Sequence, residues 1–308
     1  MRPPSLSVHA VEALASEVLR TGDLRAEHVP FGYGNENWRV TDTAGRSFIV
    51  KIGPAELVAK WRSAAAAYEL AASAGVPVPA LVSFTVQGDH VVRVFEWIDG
   101  ETPTAPSAGR ERVAAWFAGL GGAIAALHSI ELDTFSSRLD GSAPSFARWS
   151  DYVDYRVEQI RGRCSETSAV DLPTLDLACA AIRDIAAEVS RVVRPTLCHR
   201  DLYADNLLVD EQGTLVAILD WDMAEAWDPA GEWFKLDWLL FPAFPGAEAA
   251  FSAAYHAIHP EPPRWARRKQ LIDLMESLNA IPNAAIQPWN SDFEARARAR
   301  LQDLLGST

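Results

Sequence analysis

One stretch of the chain places polar side chains at the ends of short apolar runs. Residues 198–209 read Cys-His-Arg-Asp-Leu-Tyr-Ala-Asp-Asn-Leu-Leu-Val, and the apolar run after them ends in the carboxylates of residues 218–222. The pattern is H-x-D-x-x-x-x-N followed by an apolar strand and an aspartate. One loop therefore carries Asp201 and Asn206, and the end of the next strand carries Asp220.

This spacing suits the transfer of a phosphoryl group. Such a transfer needs an oriented acceptor hydroxyl and a metal-neutralised triphosphate, and little covalent chemistry from the protein. We predict that Asp201 accepts or orients the hydroxyl proton, and that Asn206 and Asp220 bind Mg²⁺, which favours oxygen ligands. Each residue alone is more typical of a turn or a helix cap. Their coincidence with an upstream strand lysine favours a kinase-like enzyme.

Length and charge bound the remaining possibilities. The 308 residues reach the size at which one hydrophobic core gives way to two, so two lobes are expected. A net charge of -13 argues against a nucleic-acid partner, which needs a basic face. The three cysteines lack metal-ligand spacing and favour a reducing cytoplasm over a disulfide scaffold. Residues 113–130 are uncharged, but their glycines, alanines and histidine favour a buried helix over a membrane span.

The first hundred residues mix helical and β-type spacing. Apolar residues recur at helical spacing over residues 7–20, and β-type runs within residues 38–50 surround a turn, which predicts a hairpin whose second strand ends on Lys51. A helix is expected to start at Pro54 and to end at Gly75. Two more strands are expected, at residues 81–85 and 91–97.

A stretch containing Pro and Ser follows residue 100, and beyond it the pattern is mostly helical. We therefore predict an α+β, bilobal, protein-kinase-like fold. Residues 1–100 would form a small nucleotide-binding lobe with an antiparallel sheet and a helix. Residues 101–308 would form a larger, mostly helical lobe for catalysis and substrate binding.

Lys51 is predicted to contact the α- and β-phosphates of the nucleotide. A strand-end ammonium that faces the cleft between two lobes would meet the triphosphate as a point charge. A lysine in this role usually pairs with a glutamate on the following helix, and Glu69 lies eighteen residues after Lys51. A solvated glutamate on the flank of the helix is the alternative interpretation of Glu69.

Two further segments are predicted to contact the nucleotide through the backbone. Gly34, Asn35 and Glu36 lie in a glycine-containing loop, where the absence of a Cβ allows a close approach to the phosphates. A two-glycine turn is more often only a turn. Glu96 and Ile98 lie where the last strand leaves the first lobe, and their backbone groups are candidates to bind a purine edge.

Together these motifs resemble the aminoglycoside phosphotransferase family, which shares the protein-kinase-like fold and has choline-kinase-like and homoserine-kinase-like relatives. The resemblance covers most of the chain and rests on residues 34–37 with Lys51, and on residues 76–79, 126–128, 199–206 and 218–221. It implies a phosphate-binding loop, a catalytic loop and a metal aspartate, with Mg²⁺ as cofactor and ATP or GTP as donor. A monomer or a homodimer is expected.

The chain departs from the family pattern at three places. Arg200 stands where the family usually has glycine between the loop histidine and aspartate. The family's helix glutamate falls near Ala64 or Ala65, so Glu69 is about one turn late. Glu232 stands where the family often has an aspartate after Asp-Pro.

The charge around the motif indicates a cationic acceptor. Residues 201–239 contain ten acidic residues and one basic residue, Lys235, a net charge of -9. Clefts lined by one sign of charge concentrate ligands of the opposite sign. The acceptor is therefore expected to be a small cation such as an aminoglycoside-like antibiotic. Its predicted contacts are Asp222, Glu225, Glu232 and Tyr203.

Other acceptors and functions stay open at this point. A metabolic kinase of the choline, ethanolamine, homoserine or sugar type is the alternative. A non-catalytic nucleotide-binding pseudokinase is more remote, because a pseudokinase is expected to have lost one of four residues, which are Lys51, Asp201, Asn206 and Asp220. A protein kinase is disfavoured, because the segment after Asp220 is short and lacks Ala-Pro-Glu.

Overall fold

A five-stranded antiparallel sheet forms the first part of the structure, a computed structural model that describes residues 5–30, 35–103, 109–286 and 291–306. The order of the strands is β1-β2-β3-β5-β4. The strands are β1 (Leu24–Val29), β2 (Glu36–Asp42), β3 (Ser47–Pro54), β4 (Leu81–Gln87) and β5 (His90–Glu96), and the helices beside them are α1 (Val8–Leu19) and α2 (Val58–Ser73).

The two faces of this sheet are chemically different, because side chains alternate along each strand. One face buries Val50 and Val94, among other apolar side chains, against α1. The register pairs Lys51 of β3 with Arg93 of β5, so both cations lie on the opposite face. Arg93 is buried there against Trp61 of α2. The sheet thus presents two neighbouring cations on the side of α2.

The predicted α+β layout, with an antiparallel sheet and helices beside it followed by a mostly helical part, is present with differences in detail. β3 runs past Lys51 to Pro54, so the lysine lies within the strand instead of at its end. A 3₁₀ turn over Ala55–Leu57 then precedes α2, which starts four residues later than expected. The sequence interpretation missed β1, because Leu24 and Ala26 are its only buried side chains and give a weak apolar signal. The lobe boundary near residue 100 stays a prediction.

Helices dominate the rest of the described chain. They are α3 (Arg110–His128), α4 (Trp149–Thr167), α5 (Leu172–Val189), α6 (Gly231–Lys235), α7 (Phe241–Ala243), α8 (Ala247–His256), α9 (Trp265–Ile286) and α10 (Ser291–Gly306), with a π-helical turn at Leu236–Leu240. The uncharged run at residues 113–130 lies largely in α3, which is mostly buried. In the described ranges, no helix combines the length and hydrophobicity that crossing a membrane requires.

Short strands between these helices hold the loops predicted to carry the chemistry. A four-stranded sheet has the order β7-β6-β11-β8, with β6 (Phe135–Ser136), β7 (Ser145–Phe146), β8 (Thr196–Cys198) and β11 (Glu225–Trp227). A separate hairpin pairs β9 (Leu207–Val209) with β10 (Leu215–Ile218). The loop predicted to be catalytic, residues 199–206, connects β8 to β9 and is called the catalytic loop below. Asp220 follows β10 by two residues.

Helices α3 and α8 approach each other closely at Gly121. A Cβ at this position would overlap the carbonyl oxygen of Phe251, whereas a Cβ at the neighbouring Gly122 would have nothing within 4 Å. We expect Gly121→Ala to destabilise the protein by about 2 kcal/mol through overpacking. Gly122→Ala is the matched control and should stabilise the helix by about 0.5 kcal/mol, because alanine loses less backbone entropy. Denaturant unfolding measures both changes, and equal stability of the two variants would contradict the close packing.

Candidate active site

His199 connects the two loops that carry the predicted catalytic and metal residues. Its Nε2 donates to the carbonyl oxygen of Leu219 at 2.8 Å, and its Nδ1 accepts the backbone N–H of Asp201 at 3.2 Å. The ring also packs edge-on against Trp221, with 4.7 Å between ring centroids. One buried imidazole thus positions the loop of Asp201 against the loop of Asp220.

Asn206 is oriented by Asp201. Its amide N–H donates to the backbone carbonyl of Asp201 at 2.8 Å and to Oδ2 of the same residue at 3.3 Å. The amide oxygen of Asn206 is thereby left for another partner. The backbone carbonyl of Asn206 accepts the N–H of Leu219 at 2.8 Å, which brings Asp220 next to this group.

Oxygen donors at this point fit a magnesium ion. Oδ1 of Asp220 is buried and accepts no hydrogen bond from the described residues. Lys51 is the cation beside it, with Nζ 3.6 Å from that oxygen. A buried carboxylate oxygen without a donor and an amide oxygen on the adjacent loop are ligands that Mg²⁺ prefers. Asp220 and Asn206 are therefore the residues that would hold the ion.

The two cations of the sheet face the two aspartates of this loop. Lys51 lies 3.6 Å from Asp220, and Arg93 lies 2.7 Å from Oδ1 of Asp222. Lys60 of α2 adds a third cation at 3.8 Å from Oδ2 of Asp222. Burial opposes ionisation of Asp222, but Arg93 and Lys51 outweigh it and hold the pKa of this carboxyl below its usual range. Asp222 thus pairs with cations of the sheet and of α2, whereas the sequence predicted that it would contact the acceptor.

Glu69 does not pair with Lys51 in the described contacts. Its side chain is exposed on α2, whereas Ala64 and Tyr68 occupy the buried face of the helix. The carboxylate nearest to Lys51 comes from Asp220 instead of the helix. Sequence spacing could not reveal this, because the 3₁₀ turn before α2 changes which residues face the cleft.

Arg200 occupies a backbone conformation that favours glycine. Its φ is 65°, in the left-handed region, which explains why glycine is common at the corresponding place in the resembling family. The buried guanidinium stabilises this conformation: Nη1 lies 2.8 Å from Glu225, Nη2 binds Glu276 of α9, and the group stacks on Trp227 at 3.9 Å. The arginine therefore anchors the catalytic loop to the core and does not point into the cleft.

Glu225 and Glu232 are buried and bound by the protein itself. Glu225 pairs with Arg156 as well as Arg200, and these guanidiniums outweigh burial and keep its pKa below the usual range. The carboxylate of Glu232 accepts the backbone N–H groups of His199 and Arg200. Because both residues are buried and their carboxylates are occupied, neither is available to an acceptor. The predicted substrate contacts at these two positions find no support in the geometry.

A buried trio of His128, Cys198 and Glu232 lies behind the catalytic loop, with its ligand-type atoms within 4.8 Å of one another. It is a hydrogen-bonded core and does not fit a metal centre. Burial lowers the pKa of His128 and raises that of the Cys198 thiol. Nδ1 of His128 is 2.8 Å from the hydroxyl of Tyr255, while Glu232 is bound to the loop backbone.

The outer side of Asp201 carries a lysine and aromatic rings. Nζ of Lys235 lies 3.5 Å from Oδ1 of Asp201, and both side chains are partly exposed. The ammonium lies 6.0 Å from the ring of Tyr203 and 5.1 Å from that of Phe293, which also contacts Trp238. The sequence interpretation counted Lys235 only toward the net charge, because its distance from Asp201 depends on how α6 packs against the loop. The structure does bring Tyr203 to the side of Asp201.

The segments predicted to bind the nucleotide through the backbone lie along the sheet. Gly34 falls outside the described residues. Asn35 precedes β2, and Glu36 is its first residue, with a side chain that accepts the backbone N–H of Ser5 at 2.5 Å. Glu96 ends β5, and among the described hydrogen bonds none uses the N–H of Ile98.

Comparisons with known proteins agree on the family and on the fold. The model of a family described as the phosphotransferase enzyme family matches residues 25–271. No curated protein matches the chain. The structure is similar to a putative fructosamine-3-kinase from Haemophilus somnus 129PT, with a TM-score of 0.71 and 17% identity over 96% of each chain. It is also similar to a thermostable mutant of the aminoglycoside phosphotransferase APH(4)-Ia.

That mutant was crystallised in a ternary complex with ADP and hygromycin B, and its TM-score is 0.71 at 17% identity over 97% of this chain and 98% of that chain. A third similar structure is a putative aminoglycoside phosphotransferase from Ralstonia eutropha JMP134, with a TM-score of 0.69 and 15% identity over 97% and 96% of the two chains. At these identities the likeness shows a shared fold, and it confirms the predicted protein-kinase-like fold.

Two substitutions at Arg200 separate its backbone strain from its ion pairs. Arg200→Gly removes the guanidinium from two buried carboxylates and should cost about 3 kcal/mol of stability. Arg200→Ala loses the same pairs and keeps a Cβ in the left-handed region, so it should be less stable than the glycine variant by about 1 kcal/mol. Unfolding in guanidinium chloride measures the free energy of unfolding of both variants. If the alanine variant were the more stable one, the left-handed conformation would not be retained.

Proposed function

The chain belongs to the phosphotransferase enzyme family, and on that premise we propose that it transfers the γ-phosphoryl group of ATP to a hydroxyl of a small molecule, with Mg²⁺ as cofactor. The observation that carries the proposal is a series of contacts: Asn206 binds Asp201 and the loop of Asp220, and Asp220 pairs with Lys51. A pseudokinase is expected to lack one of these groups, and all four are present. Three free cysteines further support a cytoplasmic enzyme.

Asp201 is the base of the proposed reaction. Its carboxylate accepts or orients the proton of the acceptor hydroxyl as the oxygen forms its bond to the γ-phosphorus. The bond from that phosphorus to the bridging oxygen breaks, and ADP leaves with the electron pair. Asn206 holds the carboxylate of Asp201 by a 3.3 Å hydrogen bond, which orients it for this role. Mg²⁺ supplies neutralisation of the triphosphate charge when bound at Asp220 and Asn206.

Lys51 is proposed to bind the phosphates on the other side of the metal. Its ammonium is only partly exposed and is positioned by Asp220 at 3.6 Å. Arg93 forms an ion pair with Asp222, so that Asp222 does not compete with Asp220 for Lys51. The purine is proposed to lie against Glu96 and Ile98, where a backbone N–H is left for it.

The charge argument for a cationic acceptor is weaker in the folded chain than in the sequence. Six of the ten acidic residues of the segment pair with Lys or Arg, and five of these six draw a cation from outside residues 201–239. Glu232 is buried against backbone donors, and Asp210 accepts the N–H of Thr214 within a turn. Little uncompensated negative charge therefore faces the acceptor.

We accordingly propose an acceptor with a hydroxyl, an apolar face and little net charge. Its support is the partly exposed aromatic surface of Tyr203, Trp238 and Phe293 beside Asp201, together with the ammonium of Lys235. Aromatic faces bind apolar rings by stacking and exclude water. An aminoglycoside-like polycation is the second candidate, supported by hygromycin B in the similar APH(4)-Ia structure.

Variants of the two aspartates should separate transfer from binding. Asp201→Ala is expected to lower phosphoryl transfer at least about 100-fold while MgATP affinity stays within a factor of about two, because Asp201 acts on the acceptor. Asp220→Ala should weaken MgATP binding itself, because it removes a metal ligand. Asp205→Ala, which removes an exposed carboxylate of the same loop, is the matched control and should change neither. Calorimetry and a labelled γ-phosphate assay measure both quantities.

The acceptor is tested with a panel of hydroxyl compounds and labelled γ-phosphate in ATP. The panel contains polycationic aminoglycosides, neutral glycosides with an apolar ring face, amino alcohols, and sugars with a ketoamine group. We expect turnover on the neutral, apolar-faced class to exceed that on the polycations by at least about tenfold in kcat/KM. Preferential turnover of the polycations would support the second candidate, and no turnover of any class would contradict both.

A further inference from the structure

Lys235 is held at a defined position next to the catalytic aspartate. It is the last residue of α6, a helix that is fixed to the catalytic loop because Glu232 accepts the backbone N–H groups of His199 and Arg200. At the N-terminal end of the same helix, a Cβ at Gly231 would meet the Trp227 ring at 2.6 Å, so helix and core are in close contact. These contacts fix the backbone of Lys235 beside the loop, and from there its Nζ lies 3.5 Å from Asp201.

The charges around Asp201 assign Lys235 a role that the other cations do not fill. Arg200, the next residue in the chain, is buried and points to Glu225 and Glu276. Lys51 pairs with Asp220 on the metal side. Within the described ranges, Lys235 is the cation that lies within ion-pair distance of Asp201.

Phosphoryl transfer requires positive charge at this place. The transferred group carries its charge on three oxygens, and it must approach the acceptor oxygen that Asp201 binds. An uncompensated carboxylate would repel that group. A preorganised ammonium next to the carboxylate removes the repulsion and donates hydrogen bonds where negative charge accumulates.

We propose that Lys235 is a further catalytic residue. This inference rests on the proposed function and adds Lys235 to Lys51 as a second cation at the phosphates. In the resting enzyme Lys235 pairs with Asp201. In the transfer step its ammonium donates an N–H to an oxygen of the γ-phosphoryl group while Asp201 takes the hydroxyl proton. The new bond joins the acceptor oxygen to phosphorus, the bond to the bridging oxygen breaks, and ADP leaves with that electron pair.

A purely structural role for Lys235 makes different predictions. The ion pair with Asp201 is partly exposed, and such pairs contribute little to stability. Its removal should leave the fold and the binding of MgADP unchanged in either case. A catalytic role requires in addition that removal of Lys235 weakens the binding of MgADP when a planar phosphoryl mimic is bound beside it.

The test compares the affinity for MgADP with and without aluminium fluoride, which together with ADP mimics the transferred group and needs no acceptor. In the wild type, fluoride should tighten the binding of MgADP. In Lys235→Met we expect the affinity for MgADP to stay within about twofold and the tightening to fall about 100-fold, the effect of losing one preorganised donor. Lys235→Arg should recover part of it. The rate of phosphate release from ATP without acceptor should follow the same order.

Lys269→Met is the matched control, because this lysine pairs with Asp237 at 2.6 Å and has a similar exposure. It should retain the full tightening. Equal tightening in Lys235→Met and the wild type would overturn the role of Lys235 and leave the proposed function intact. Parallel losses of MgADP affinity and unfolding stability would also overturn it, in favour of a structural role. A wild type that binds no MgADP would overturn the proposed function and this inference with it.

Discussion

Two cations on one face of the sheet, opposite two carboxylates on one loop, are the interaction on which the site depends. The strand register sets Lys51 beside Arg93, and like charges in that arrangement repel each other. Asp220 and Asp222 relieve the repulsion, and they are separated by one residue on the loop after β10. The same contact that neutralises the sheet therefore brings Lys51, which is proposed to bind phosphate, to Asp220, which is proposed to bind the metal. In this chain it stands in place of a helix glutamate.

The catalytic loop is stabilised from behind by buried polar groups. Glu232 binds its backbone N–H groups, His199 ties it to the metal loop, and Arg200 anchors it to β11 and α9. A left-handed arginine costs about 1 kcal/mol relative to glycine, and its buried ion pairs offset that cost. Buried pairs of this kind add little net stability but hold a single geometry. A rigid loop is what the orientation of Asp201 requires.

The charge of the segment shows how local composition differs from the charge that a ligand meets in the folded chain. A net charge of -9 predicted a cation-binding cleft, yet half of these ten carboxylates pair with cations that come from other parts of the chain. Local net charge counts only residues that are adjacent in sequence, whereas a ligand responds to charges that are adjacent in space. Glu225 and Glu232 show the difference most clearly, because both are buried.

The sequence by itself determined the central residues. The spacing of Asp201, Asn206 and Asp220 is a local property of one loop and one hairpin, and the β-type run that precedes Lys51 pointed to that lysine. Strand and helix periods likewise determined the fold class. Only the tertiary structure decided which side chains join them, because Arg93, Lys235 and the partners of Arg200 come from other elements that packing brings to the loop. A contact of that kind depends on packing and on backbone offsets such as the 3₁₀ turn before α2, and neither has a local pattern in the sequence.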